Sequence, residues 1–184
     1  MLPLNTQRLI LREVAMTDLE AIHHLHSLSE TDTYNTLGIP ASLEETQTLL
    51  AHWINDNTIL PRQAYIFCII HEDTQDFIGL IAVRMGKPNY KLGEVWYKTL
   101  PAYWRKGYTS EALHRLLQLC FSDLQLHRIQ AGCAVENIAS IKVLEKVGML
   151  REGRKRKILP IRGEWVDNYM YAILDEDFKE GSAK

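Results

Sequence analysis

The chain contains no run of about 18 uninterrupted apolar residues, the length that reads as a membrane-crossing helix, so no helical span is expected. Nor does its opening, MLPLNTQRLILRE, place a basic stretch ahead of a long apolar one, and the expectation is a soluble, cytoplasmic protein. Cysteine is scarce. Cys68, Cys120 and Cys133 are odd in number, far apart and set in apolar runs, which suits small core residues in a reducing compartment better than a disulfide or zinc framework. An excess of one charge is also lacking. Lys and Arg number 21 against 23 Asp and Glu, and a net charge of −2 provides no field that draws the chain to nucleic acid or an anionic membrane. Neither is expected as a partner, and any anion must be held locally. Internal repeats, low-complexity tracts and Pro/Gly/Ser linkers are missing too, so residues 1–184 read as one domain with one well-buried core.

What is present is an alternation of strand and helix signals. Leu9–Arg12 reads as a short strand, and Thr17 with Glu20 has the spacing of a reciprocal N-terminal cap that opens a helix. Ser42 and Glu45 repeat that spacing ahead of Leu49, Leu50, Trp53 and Ile54, whose i, i+1, i+4, i+5 pattern makes one apolar helix face. Ala64–Ile70, Phe77–Val83 and Gly93–Leu100 are β-rich, and their short connections predict an antiparallel meander. The pattern then changes to a helix from about Tyr108 to Phe121, a strand Arg128–Val135, a helix from about Ile138 to Val147 closed by Gly148, and two final strands. The fold class is therefore α/β with a mixed sheet.

PAYWRKGYTSEAL, from Pro101 to Leu113, sets a basic, glycine-bearing turn between an aromatic strand and the first turn of a helix. A helix that begins directly after a strand leaves up to four backbone N–H groups pointing outward with the positive end of its dipole behind them. Gly107 lets the backbone approach a bulky ligand, and Arg105 and Lys106 add charge at the rim, so a diphosphate is a natural guest. The plainer reading is a glycine loop with two solvated cations. Neither G-x-G-x-x-G nor G-x-x-x-x-G-K-[ST] occurs, which removes the dinucleotide-fold and nucleotide-kinase readings.

GEVWYKTLPAYWRKGYTSEAL followed by HRIQAGCAVENIASIKVLEKVGM resembles the acetyl-CoA-binding core of the Gcn5-related N-acetyltransferases. The similarity is to the branch that includes bacterial enzymes acetylating the N-termini of ribosomal proteins, and TQRLILRE and RGEWVDNYMYAIL extend it over nearly the whole chain. In the family's Q/R-x-x-G-x-G/A loop, Trp104 takes the first place and Thr109 the last. The resemblance implies a single-domain fold with a mixed, mostly antiparallel sheet of about seven strands and about four helices. Its strands at 94–98 and 128–135 would splay to admit the pantetheine arm of acetyl-CoA. It also implies that the N–H groups of Arg105, Lys106, Gly107, Tyr108 and Thr109 hold the pyrophosphate, and that Asn137 lies near the arm while capping its helix. Acetyl-CoA enters as co-substrate, an amine is the acceptor, no metal is required, and a homodimer is compatible with the reading.

Acetyl transfer needs a neutral amine, a donor to the oxyanion and a group that stabilises the departing thiolate. By resemblance, Glu94 would take the amine proton through water and Ser140 would face the thiolate, with Tyr169 or Tyr171 as substitutes for the latter. An exposed edge glutamate and an ordinary helix serine are the plain alternatives. At pH 7 a free α-amine with a pKa near 8 needs about 1.4 kcal/mol to be neutral and a lysine amine about 4.6, a mild preference for the first. Glu30, Asp32 and Tyr34, in the segment between the first two helices, would contact the acceptor, and the two carboxylates would draw in a cationic amine or a basic peptide. A solvated loop is the plainer account of them. His23, His24 and His26 lack the i, i+4 spacing of helical zinc ligands and read as a solvated or partly packed face. REGRKRK (Arg151–Lys157) reads as a charged edge strand, and Trp96, Trp104 and Trp165 as core aromatics. The expected function is transfer of an acetyl group to a primary amine, such as a peptide N-terminus, by direct attack in a ternary complex. A CoA-binding sensor without turnover, and an acetyltransferase for amino acids, polyamines or aminoglycosides, remain as alternatives.

Overall fold

The β-rich runs pair into one sheet in a computed structural model that describes residues 2–181. Along the chain lie β1 (Leu4–Asn5), β2 (Leu9–Glu13), α1 (Leu19–Ser27), α2 (Ser29–Asp32), α3 (Leu43–Asp56), β3 (Ala64–His71), β4 (Phe77–Met85) and β5 (Leu92–Thr99). They are followed by α4 (Tyr108–Gln118), β6 (Arg128–Ala134), α5 (Ile138–Lys146), β7 (Leu150–Ile161), β8 (Glu164–Leu174) and α6 (Asp175–Gly181). The eight strands are ordered β1-β2-β3-β4-β5-β6-β8-β7. Every neighbouring pair is antiparallel except β5–β6. This is the expected mixed sheet, with β1, α2 and α6 added; each is too short to show a periodic signal.

Helices cover both faces. On β3, Phe67 and Ile69 pack into one apolar cluster with Leu113, Leu116 and Leu117 of α4, while Ile66, Cys68 and Ile70 pack into another with Ile22 and Leu25 of α1 and Leu50 of α3. A strand buried on both faces reads as a continuous apolar run, which is why YIFCII lacks polar alternation. On β5 the same alternation sends Val95 and Tyr97 to the α4 side and Trp96 to the α1–α3 side.

Two helix boundaries differ from the sequence reading. Thr17 and Glu20 do not open α1: the chain makes a 3-10 turn over Met16–Asp18, and the Asp18 carboxylate accepts from the Ala15 N–H at 2.9 Å and from Arg12 of β2 at 2.6 and 2.8 Å. That ion pair reaches out of the local window on which a cap is judged. The expected helix to Phe121 is α-helical only to Gln118 and continues as a π-helical turn over Leu119–Asp123. Leu119, Cys120 and Phe121 are all buried, and the wider turn presents three consecutive apolar residues to the core. The basic run forms β7, the exposed outer edge of the sheet, as expected.

β4 and β5 approach unusually closely at Gly79, where an added Cβ would fall 2.2 Å from the Lys98 carbonyl oxygen and 2.7 Å from Thr99 Cα. Both are backbone atoms that cannot yield without moving β5. Gly79→Ala is therefore expected to lower stability by about 1–3 kcal/mol, read as a lower urea midpoint at unchanged slope. An unchanged midpoint would show that the two strands separate at no cost.

Candidate active site

The parallel ladder between β5 and β6 contains only Leu92↔Arg128, Gly93↔Ile129 and Glu94↔Gln130. Beyond Glu94 the strands part, as the resemblance implied, and a cleft of about 1530 Å³ opens against the ends of α1, α3, α4 and α5. Its two halves are set by the alternation along β5. Tyr97 and Thr99 face α4 and α5, while Trp96 and Lys98 face α1 and α3.

The first half is built around the turn that precedes α4. Gly107 has φ +83° and Arg105 φ +61°, so the backbone passes twice through the left-handed region before the helix starts. A Cβ at Gly107 would lie 3.6 Å from Arg8 Nη2 and 3.9 Å from Lys146 Nζ, which places two more cations at the turn. Arg8 is positioned there by Glu111, whose carboxylate accepts from Arg8 Nε at 2.8 Å, from the Arg8 N–H at 3.0 Å and from Thr6 Oγ1 at 2.6 Å. These hydrogen bonds hold the Glu111 pKa below the usual carboxylate range despite partial burial. Arg8 also donates to the Lys106 carbonyl at 3.3 Å and stacks 4.5 Å from the Tyr108 ring. Trp104 donates from its indole N–H to the Thr99 carbonyl at 2.9 Å, which clips the turn to the end of β5. Thr109 Oγ1 lies 3.5 Å from Thr99 Oγ1. Trp104, Arg105, Gly107 and Thr109 line the cleft, and Lys106 and Tyr108 stand beside it. A turn rich in outward N–H groups and ringed by Arg8, Arg105 and Lys146 suits a polyanion such as a diphosphate.

At the near end of α5, Asn137 Oδ1 accepts from the Ser140 N–H at 3.1 Å, the expected cap. Ser140 Oγ lies 2.7 Å from Tyr97 Oη. Burial raises the Tyr97 pKa well above its ordinary value, so the phenol keeps its proton. Tyr97 is a residue the sequence reading missed; its place on the inward face of β5, one strand over from the α5 cap, was the available signal. The tyrosines expected there sit elsewhere. Tyr171 is fully buried and donates to Glu145 at 3.1 Å, and Tyr169 packs under Arg151 at 4.6 Å.

In the other half, Lys98 Nζ lies 3.2 Å from His26 Nδ1. Burial brings the Lys98 pKa down to about 8, and burial together with the Lys98 charge brings His26 down to about 4. Trp53 and Trp96, with ring centroids 5.8 Å apart, form the apolar wall beside them. His26 was read as part of a surface cluster, and Trp96 and Trp104 as core; all three line the cleft, while Trp165 is exposed.

Glu94 shares a strand face with Trp96 and Lys98 but is exposed and is not among the residues that line the cleft, although its cross-strand neighbour Arg84 is. Glu30 and Tyr34 line the far end. Asp32 departs from expectation. Its segment forms the short helix α2, and the side chain is buried and tied at 3.3 Å to Arg162, in the β7–β8 connection, so it does not stand on the exposed rim. Among the described residues there is no cluster of His, Cys, Asp and Glu fit to hold a metal ion.

A family model described as an acetyltransferase (GNAT) domain matches residues 8–150. The chain is 36% identical over 177 residues to an uncharacterised N-acetyltransferase of Bacillus subtilis, covering 95% of this chain and 98% of that one. The structure of spermidine N-acetyltransferase from Vibrio cholerae in complex with CoA and spermine superposes with a TM-score of 0.84 at 25% identity, over 95% of this chain and 99% of that one. The ribosomal-protein-S5-alanine acetyltransferase from Vibrio fischeri gives the same TM-score of 0.84 at 20% identity, over 97% and 99%, a likeness of fold. The split sheet, the cation-ringed glycine turn and these matches lead to one assignment: the chain belongs to the GNAT family and is an N-acetyltransferase that uses acetyl-CoA.

Proposed function

We propose that the acceptor is an α-amine and that it attacks acetyl-CoA directly, with the two substrates bound together on opposite faces of β5. One observation carries this reading: a single continuous cleft runs from the Gly107 turn past Tyr97 to Lys98 and Glu30. At about 1530 Å³ it exceeds the roughly 300–1,000 Å³ of a site for one drug-sized ligand, which leaves room for donor and acceptor at once.

In this reading the N–H groups across Arg105–Thr109 take the pyrophosphate, and the pantetheine arm follows the parted strands past Asn137. The amine nitrogen forms its bond to the thioester carbonyl carbon as the C–S bond breaks, and the departing sulfur receives a hydrogen bond or proton from the Ser140–Tyr97 hydroxyl pair. Glu94, exposed on the strand face that it shares with Lys98, takes the amine proton through water.

The named relatives point two ways, toward a polyamine and toward a protein N-terminus, and the charges of the acceptor half favour the second kind of amine. Lys98 stands on its floor, and the other charges stand opposite one another: His52 lies 3.6 Å from Asp56 and Arg84 is across the ladder from Glu94, which leaves Glu30, while Asp32 is turned to Arg162. A polycation such as spermidine meets the Lys98 ammonium on that floor, and the basic-peptide preference expected from Glu30 and Asp32 loses half its basis.

Three measurements check this. Free thiol release from acetyl-CoA is expected with amino acids and peptides bearing a free α-amine, and poorly with spermidine or aminoglycosides. Spermidine as the best acceptor would overturn the α-amine reading, and CoA binding without thiol release from any amine would make the protein a sensor. Acetyl-CoA is expected to raise Tm by mass action, and Gly107→Val, which puts a β-branched side chain at φ +83°, to remove most of that rise. A folded variant with an undiminished shift would place the cofactor elsewhere. Glu94→Gln is expected to lower kcat/KM at pH 7 by about 10²-fold, with the loss narrowing as pH rises and the amine loses its proton unaided. Unchanged rates across pH would remove Glu94 from the mechanism.

A further inference from the structure

Two cations reach the Gly107 turn from distant parts of the chain: Arg8 from the β1–β2 connection and Lys146 from the last residue of α5. Where a side chain would begin at Gly107, the only atoms within 4 Å, among the described residues and outside those adjoining it, are Arg8 Nη2 at 3.6 Å and Lys146 Nζ at 3.9 Å. Two like charges aimed at one point repel unless an anion lies between them. Glu111, the carboxylate in the first turn of α4, does not serve, because both its oxygens are committed to the β1–β2 connection. Its Oε1 accepts from Thr6 Oγ1 at 2.6 Å and the Arg8 N–H at 3.0 Å, and its Oε2 from Arg8 Nε at 2.8 Å, with Nη2 2.6 Å away. A guanidinium carries two hydrogens on each Nη, in a fixed plane. One on Nη2 is turned to Glu111 and one on Nη1 to the Lys106 carbonyl at 3.3 Å, so each Nη has one left, and the Tyr108 ring supports the face of the group at 4.5 Å.

We propose that Arg8 and Lys146 together hold the CoA pyrophosphate over Gly107, and that Glu111 is a positioning residue that acts through Arg8. The inference rests on the placement of the pyrophosphate at this turn in the reading above. The N–H groups of the turn bind the diphosphate from below, and the two side chains add charge that lies outside the turn's own sequence. The sign of the Glu111 effect separates positioning from plain charge. A carboxylate near a diphosphate repels it, so by charge alone Glu111→Gln tightens CoA; if Glu111 holds Arg8 in place, the same change weakens it.

The test measures dissociation constants for CoA, 3′-dephospho-CoA and pantetheine by titration, which needs no acceptor and so stands apart from the α-amine reading. The ratio of the pantetheine constant to the CoA constant isolates what the phosphates contribute. Charge-assisted hydrogen bonds set the scale: Arg8→Gln should lower that ratio by about 10- to 100-fold and Glu111→Gln by about 5- to 10-fold. Lys146 is exposed, so Lys146→Met keeps the fold and tests the clasp even where the other two variants unfold; it should lower the ratio by about 3- to 10-fold. Adding Glu111→Gln to Arg8→Gln should cost nothing further, the mark of two residues acting as one. Every loss should persist with 3′-dephospho-CoA. An unchanged or higher ratio in Glu111→Gln overturns the positioning role, as do additive losses in the double variant or losses shared equally by pantetheine. An unchanged ratio in Lys146→Met overturns the clasp. Losses that vanish with 3′-dephospho-CoA overturn the pyrophosphate contact and assign the cations to the 3′-phosphate. CoA affinity left intact by Gly107→Val removes the placement on which the inference rests.

Discussion

Hydrogen bonding between β5 and β6 lasts for three residue pairs and ends at Glu94 and Gln130, and the cleft exists because the strands separate there. Parallel strands inside a sheet ordinarily continue side by side, since backbone N–H and C=O groups that lose a partner need another. Past Glu94 the ladder between β5 and β6 has no further pair, and in the proposed complex the pantetheine arm enters there. The helices that follow each strand, α4 after β5 and α5 after β6, then aim their N-termini at the mouth of the opening. One interruption in one ladder thus supplies both the channel and two positive helix ends beside it.

The alternation of side chains along β5 divides the labour. Tyr97 points to the α5 side and meets Ser140; Lys98 points to the α1 side and meets His26. Consecutive residues therefore face opposite sides of the strand, and in the proposed reaction they face the two substrates. Gly79 holds β4 against the carbonyl of Lys98 at a distance no other residue allows, so the position of that pair of side chains depends on a backbone contact one strand away.

The proposed cofactor half could be picked out in the sequence because its features are local: Arg105, Gly107 and Thr109 belong to a turn and a helix start that occupy a few consecutive residues, and all three line the cleft. Asn137 and Ser140, one helical turn apart, were visible for the same reason. The strand order past the meander and the break at Glu94 came by resemblance, since no local pattern encodes where two strands distant in sequence stop pairing. The acceptor half was not legible. Lys98 and His26 are 72 positions apart, and Asp32 lies 130 positions from Arg162, so neither pair leaves a spacing to count. Asp32 shows the cost: an acidic residue in a polar segment reads as solvated surface until a distant arginine takes it into the interior.

The most direct test is a crystal structure of the protein with CoA and an α-amine acceptor bound together. The account predicts the pyrophosphate on the N–H groups between Arg105 and Thr109, the CoA sulfur within hydrogen-bonding distance of Ser140 or Tyr97, and the acceptor on the Lys98 face with its amine directed at the space beside the sulfur that the acetyl carbonyl carbon occupies in acetyl-CoA. CoA lying outside the parted strands, or both ligands on the same face of β5, would contradict it.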